Sequence, residues 1–221
     1  MIIIMILLMH LLSHNSPDDY AINSVPETET LSETPPETSN WDLCKKKENV
    51  SIFQRWVEAE PGRDAREIYV ETVVSAKPEK LTQIILDENY GKQWLAMADE
   101  YKVITRPSPD EWYAYSRFNF TPLLKFDLIT FNQLSADQEN HSYTIGISGK
   151  PDYWPEKKNF RRLSHFSGKW EFIPADDGQT CVRYYLFSKT KPFLPRWITD
   201  PFVFNELESC INNVKLIAEK S

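Results

Sequence analysis

The hydrophobic pattern at the C-terminal end of the chain predicts an amphipathic helix that runs to about Lys220. Apolar residues recur there every three or four positions and so share one helix face. Asp200-Pro201 is typical of a helix start, whereas Pro195 would allow an earlier start and a kink. The predicted buried face consists of Val203, Leu207, Cys210, Val214 and Ile217. The predicted polar face consists of Asn205, Glu206, Glu208, Asn212, Asn213 and Glu219.

Most of the preceding chain has the alternating pattern of strands, with turn residues between them. Two short helices interrupt this pattern, one opened by Pro78 and one containing Trp94 and Met97. The predicted strands are 50–57, 67–74, 101–105, 112–120, 126–134, 141–148, 161–166, 169–173 and 181–188. We expect a nine-stranded antiparallel sheet whose concave face is covered by the last helix. Such a layout favours a cavity for an apolar ligand, although an ordinary solid core would produce the same pattern.

Alternation within single strands predicts which side chains face the helix. In the strand 112–120 the inward set is Trp112, Ala114, Ser116, Phe118 and Phe120. In the strand 141–148 it is Tyr143, Ile145 and Ile147. In the strand 181–188 the set Val182, Tyr184 and Leu186 is favoured over Tyr185 and Phe187. In the strand 126–134 we place Ile129 and Phe131 inward, in competition with Phe126, Leu128 and Thr130.

Length and composition indicate one domain, because 221 residues with 41% hydrophobic content can bury a sizeable core. The net charge of −7 comes mainly from residues 1–40, which contain six acidic residues and no Lys or Arg. The remaining chain is nearly neutral, so we predict no nucleic-acid partner.

The first forty residues divide into two segments. Residues 1–12 are apolar apart from His10 and have the length of a signal-peptide core, but they lack a positively charged start. An incomplete leader or a wrongly chosen start codon is the alternative. Residues 13–40 are rich in Pro, Thr and Glu, which predicts a disordered acidic linker. We therefore expect an exported or membrane-tethered protein that is periplasmic or extracytoplasmic.

Catalytic and metal-site patterns are missing from the sequence. The three cysteines, Cys44, Cys181 and Cys210, form no CxxC pair and have no histidine at metal-ligand spacing, so neither a metal nor another cofactor is predicted. A disulfide between Cys181 and Cys210 is left open. No nucleophile with a nearby base is recognisable, and we predict that the protein is not an enzyme.

Four landmarks, in the same order as in a known family, resemble START-type lipid-transfer domains of the helix-grip superfamily. They are Pro122 with Asp127, Gly168-Lys169-Trp170 with Pro174, Thr180-x-Val182-x-Tyr184, and Pro195-x-Trp197-Ile198. One departure is Lys125-Phe126 before Asp127, where the family often has an arginine. The resemblance covers residues 41–221 and implies an α+β helix-grip fold, with a curved antiparallel sheet around a long C-terminal helix and two short helices after the second strand.

The resemblance also implies binding, carriage or sensing of a lipid, sterol, isoprenoid or similar hydrophobic molecule in an internal cavity. A cyclase- or aromatase-like enzyme acting on a polyketide is the alternative. The predicted cavity wall consists of Phe118, Phe120, Ile129, Phe131, Tyr143, Ile145, Trp170, Phe172, Phe204, Leu207 and Ile211. Asp127 and Arg117 are candidate polar contacts to a ligand, with structural roles as their alternatives.

Basic residues beside aromatic ones predict transient contact with a membrane surface, because rings settle among headgroups and cations are attracted to anionic lipids. They occur in the loop 149–158 and just before the last helix, and solvated turns are the alternative. The candidate contacts are Trp154, Lys157, Lys158, Phe193 and Arg196.

Overall fold

The computed structural model describes residues 41–60, 63–95, 97–121, 124–189 and 195–220. The predicted leader, 1–12, and the predicted linker, 13–40, lie outside these residues. Within the described ranges no helix combines the length and apolar character needed to cross a bilayer.

A curved sheet dominates the described chain. Its strands are β1 Asp42–Lys47, β2 Val50–Glu60, β3 Arg63–Val74, β4 Ala98–Ser108, β5 Glu111–Thr121, β6 Leu124–Asp137, β7 Ser142–Gly149, β8 Arg161–Arg162, β9 Phe166–Pro174 and β10 Thr180–Ser188. The strand order is β1-β2-β3-β10-β9-β7-β6-β5-β4, and β8 pairs with β6. All pairings are antiparallel except that of β8, which is parallel.

Two strand predictions were wrong. The edge strand β1 was missed because three consecutive lysines, Lys45 to Lys47, have no apolar alternation. The predicted strand 161–166 is a strand only at Arg161–Arg162, since the chain leaves the sheet and returns to it at Phe166.

The three described α-helices are α1 Pro78–Leu86, α2 Glu88–Trp94 and α3 Arg196–Lys220. The earlier of the two predicted starts of α3 is the real one, so Pro201 lies inside the helix. Asp200 is therefore not an N-cap. Its carboxylate instead accepts two hydrogen bonds from the Arg66 guanidinium of β3, at 2.6 and 2.8 Å. Met97 follows α2 rather than lying in it.

Helix α3 lies against the inner face of the sheet, as predicted. Its buried residues are Leu207, Glu208, Cys210, Ile211, Val214 and Ala218. Val203 and Ile217, which we had placed on the buried face, are half-buried and pack against the core. Glu208 was assigned to the polar face but is buried, because Lys45 and Lys47 of β1 bind its carboxylate at 2.5 and 2.8 Å.

The C-terminal half of α3 packs on a solid core. Its partners on the sheet include Val70, Phe172 and Val182, none of which is exposed. Burial of each such side chain stabilises the fold by about 1.5–3 kcal/mol. The inward orientation of Val182 and Tyr184 on β10 is confirmed.

All three cysteines are free. Cys181 has the opposite strand parity to Val182 and lies 3.8 Å from Glu71 on the outer face of the sheet. Cys210 is buried on α3, and no disulfide joins it to Cys181.

Candidate ligand-binding cavity

The space under the N-terminal half of α3 is not filled by side chains. It is a cavity of about 410 Å³, within the size range of small-molecule binding sites. Strands β5 and β6 form much of its floor, and α3 forms its roof. The lining residues are Ile85, Trp94, Leu95, Met97, Tyr101, Trp112, Ser116, Phe118, Phe126, Leu128, Thr130, Asn132, Ile147, Leu163, Phe166, Trp170, Tyr184, Leu186, Phe202, Val203, Glu206, Leu207 and Cys210.

Short side chains on the floor help to explain why the cavity exists. Ala114 and Ser116 face inward between the larger Trp112 and Phe118 of β5, and Thr130 lies opposite Ala114 on β6. Stacked rings form the wall beside this floor. The ring centroids of Trp170 and Tyr184 are 4.0 Å apart, and the two ring planes are nearly parallel. Rigid rings at the edge and short residues in the middle leave unfilled volume under the helix.

Polar groups are few in the cavity. The Asn132 amide donates hydrogen bonds to the Trp112 carbonyl at 3.2 Å and to the Thr130 hydroxyl at 3.0 Å, which fixes its orientation. Burial raises the pKa of Tyr101, Tyr184 and Cys210, so these groups stay protonated at neutral pH. The wall is therefore apolar with a small, neutral polar patch on the floor.

Glu206 is the exception to this neutrality, and the sequence had placed it on the solvent side of α3. It lines the cavity, and among the described residues it is the single charged group that does so. Its side chain is half-buried, and desolvation raises the pKa of its carboxyl.

The predicted wall residues fall into four groups, the last of which is Ile129 and Phe131. Phe118, Trp170 and Leu207 line the cavity. The packed core beside it contains Tyr143, Ile145, Phe172, Phe204 and Ile211, which face inward but do not reach the cavity. The side chain of Phe120 lies outside the described residues.

Ile129 and Phe131 were assigned to the wrong face of β6. The residues of β6 that line the cavity are Phe126, Leu128, Thr130 and Asn132, so Ile129 and Phe131 point to the outer, convex face. Phe131 contacts Tyr113 there, with ring centroids 5.0 Å apart. Both residue sets of this strand contain large apolar side chains because segment 150–163 covers its outer face, so alternation could not distinguish them.

Neither polar candidate contacts the cavity. Asp127 is buried on the convex face, where the Arg162 guanidinium donates to both carboxylate oxygens at 2.8 and 3.0 Å. Arg117 forms ion pairs with Asp99 at 2.9 Å and Glu100 at 2.8 Å on β4. Both residues therefore have structural roles, and the partner of Asp127 is a side chain that lies 35 positions later in the sequence.

The loop 149–158, a candidate for membrane contact, packs on the protein and contributes no residue to the cavity lining. Trp154 is half-buried, with its ring 5.9 Å from Tyr115 and under the Lys102 ammonium at 4.5 Å. Lys157 lies 4.4 Å from the Tyr115 ring. Lys157 and Lys158 are both exposed loop residues, whereas Trp154 is not.

The second group of membrane candidates lies near α3. Arg196 is half-buried, 4.7 Å over the Trp56 ring, and Phe193 lies outside the described residues. The exposed aromatic residues at this end of the helix are Trp197, 78% exposed, and Phe202, 60% exposed. Since Phe202 also lines the cavity, it marks the cavity opening.

Most of the lining residues were absent from our predicted wall. Trp112 and Ser116 could have been included, because strand parity had already placed them inward. Ile85, Leu95 and Met97 come from the helices and the following turn, for which we made no assignment. No cluster of three or more potential metal ligands occurs among the described side chains.

No protein-family model matches the chain. A 182-residue stretch is 21% identical to an uncharacterised protein of Pseudomonas aeruginosa, covering 82% of this chain and 88% of that protein.

Solved structures match over most of the domain. A STAR-related lipid transfer protein fragment from Xanthomonas axonopodis superposes with a TM-score of 0.71 and 20% identity, covering 82% of this chain and 99% of the fragment. Human StAR-related lipid transfer protein 5 gives a TM-score of 0.71 with 13% identity, covering 84% of this chain and 89% of that one. The described part of the chain thus has the helix-grip fold of the STAR-related lipid transfer domains, as the sequence landmarks had indicated.

Proposed function

We propose that the protein binds and carries a hydrophobic molecule, a lipid or a similar amphiphile, without changing it chemically. The observation that carries this proposal is the apolar cavity of about 410 Å³ between α3 and the sheet. The lipid-transfer proteins that share the fold support it. Apolar walls with a few fixed polar groups are typical of small-molecule binding sites.

The cavity lining favours carriage over catalysis. A cyclase-like reaction needs a positioned acid or base, with a partner that orients it. Glu206 is the single ionised group among the described lining residues, and the tyrosines and the cysteine there are held neutral by burial. No described histidine lines the cavity.

The test measures uptake of the neutral apolar probe N-phenyl-1-naphthylamine by the purified protein. We expect saturable binding that Leu128→Trp reduces by about tenfold or more, because the larger ring projects from the cavity floor. The matched control Leu216→Trp, at a residue that is 48% exposed on α3, leaves uptake unchanged. No saturable uptake by the wild type would reject the proposal, and mass spectrometry of lipids that co-purify with the protein would identify the natural ligand.

We further propose that ligand enters from a membrane surface at the N-terminal end of α3, to which the predicted leader would bring the domain. The exposed rings of Trp197 and Phe202 beside the opening support this. Replacing both with Ala should weaken co-sedimentation with phosphatidylcholine–phosphatidylglycerol vesicles. The control Tyr153→Ala removes a ring that is 45% exposed on the convex face. Equal losses in the two variants would contradict this entry site.

A further inference from the structure

Glu206 occupies an unusual position for a carboxylate. It lies one helical turn after Phe202 and one turn before Cys210, and all three line the cavity. Its neighbours in the lining are apolar residues such as Val203 and Leu207. The carboxylate is therefore on the roof of the cavity, near the opening that Phe202 marks.

The Glu206 carboxylate has no hydrogen-bond or ion-pair partner among the described residues. Three other partly or fully buried carboxylates among the described residues are ion-paired: Asp127 with Arg162, Asp200 with Arg66, and Glu208 with two lysines. For Glu206 nothing offsets the desolvation, which raises the pKa of its carboxyl. A charged group without a partner in such a place destabilises the unliganded protein.

A ligand can supply the missing partner. An amphiphile whose chain fills the cavity and whose polar end lies at the opening brings that end next to Glu206. An ammonium group there would form a charge-assisted hydrogen bond, and a hydroxyl would form an ordinary one. A carboxylate would be repelled, because two like charges would share a poorly solvated space.

We propose that Glu206 determines ligand specificity, so that the cavity prefers amphiphiles with a cationic amine end over the corresponding alcohols and selects against fatty carboxylates. This inference rests on the proposed carrier function and specifies the chemistry of its ligand. The apolar wall provides affinity for the chain, and Glu206 distinguishes the polar ends.

The test compares three ligands with the same alkyl chain: dodecylamine, dodecanol and laurate. Each displaces N-phenyl-1-naphthylamine from the full-length protein at neutral pH, below the concentration at which it forms micelles. We expect dodecylamine to bind about tenfold more tightly than laurate, with dodecanol in between. In Glu206→Gln the amine-to-carboxylate ratio falls to near one, while the affinity for dodecanol changes little.

The matched control is Glu219→Gln, which removes the same charge from an exposed position on the same helix. It should leave the ratio at its wild-type value, because Glu219 is not a lining residue. A general effect of net charge on amine binding would instead change the ratio equally in both variants and overturn the proposal.

The remaining outcomes also decide the question. If none of the three ligands displaces the probe, the carrier function fails and this inference fails with it. If dodecanol binds but the ratio in Glu206→Gln stays at the wild-type value, only the role of Glu206 is rejected. A Glu206→Gln protein that does not fold would show that the carboxylate makes a structural contact, which also contradicts the proposal.

Discussion

The two faces of β6 border regions that are built in different ways. On the convex face, segment 150–163 lies over Asp127 and Ile129, and backbone hydrogen bonds join Lys150 to Ile129 at 2.8 Å and Leu163 to Asp127 at 2.9 Å. Arg162 closes this cover by donating to the carbonyls of Pro151, Trp154 and Pro155 as well as to Asp127. On the concave face, the neighbouring residues Phe126 and Leu128 border unfilled volume.

The two regions differ in whether their buried carboxylates have a hydrogen-bond partner. The side chains of Asp127 and Arg162 are 1% and 3% exposed, and both oxygens of the Asp127 carboxylate accept hydrogen bonds from Arg162. Glu206, across the sheet, is half-buried and without a partner among the described residues. The convex region is thus fully packed and paired, whereas the concave region contains unfilled volume and a carboxylate without a partner among the described residues. Strand β6 is therefore stabilised from its convex face and borders unfilled volume on its concave face.

The largest expected effect is a loss of stability when the buried ion pair of the convex region is broken. Arg162→Met leaves Asp127 buried without its partner, which typically destabilises a protein by about 3–5 kcal/mol. Urea unfolding measures the loss. The control Arg161→Met changes the exposed neighbouring residue and should cost little. Similar losses for the two arginines would mean that segment 150–163 does not depend on the buried pair.

A smaller effect is expected when two adjacent residues of β6, one on each face of the sheet, are replaced by tryptophan. Ile129→Trp overpacks a region where Ile129 has no exposed surface, at a cost of about 1–3 kcal/mol. Leu128→Trp places the same ring toward the cavity, so it should cost less stability while it blocks probe uptake. Thermal unfolding and probe titration of both variants check this. Equal destabilisation would indicate that the concave region is as tightly packed as the convex one.

The smallest effect is a stabilisation. Glu206→Gln removes a desolvated charge and should raise the Tm at neutral pH, as measured by calorimetry without ligand. Because the folded-state pKa of Glu206 is raised, the wild type recovers stability as the pH falls through that pKa, and the advantage of the variant should shrink. The other titratable lining groups, Tyr101, Tyr184 and Cys210, stay protonated throughout this range. An advantage that is constant with pH would contradict an unpaired Glu206.

The overall fold could be predicted because it depends on local pattern. Alternation in β5 placed Trp112 and Phe118 correctly, and periodicity identified α3 and its inner face. The order of the landmarks then indicated the family fold. These signals all lie within short stretches of sequence, where the side-chain period follows directly from backbone geometry.

The site was predictable only in part, since it depends on contacts between distant residues. The orientation of Asp127 is determined by Arg162, 35 positions later, and the inner face of β6 is obscured by the cover on its outer face. Glu206 and Glu208 look like solvent-facing residues in a helical pattern, yet one borders a cavity and the other is paired with β1. Unfilled volume has no sequence signature, because the same apolar residues line a cavity and fill a core.

Pro201 divides α3 into two parts that should exchange their amide protons at different rates. A proline cannot donate to the carbonyl of Trp197, so the first five residues, Arg196 to Asp200, are connected to the rest of the helix by one hydrogen bond fewer. These five residues are also attached to the sheet by the ion pair between Asp200 and Arg66. Protection should therefore be low in this first segment and approach the global value around Ile211 and Val214. The roof of the cavity next to Phe202 can then open by a local fluctuation, at a rate independent of the unfolding of the core.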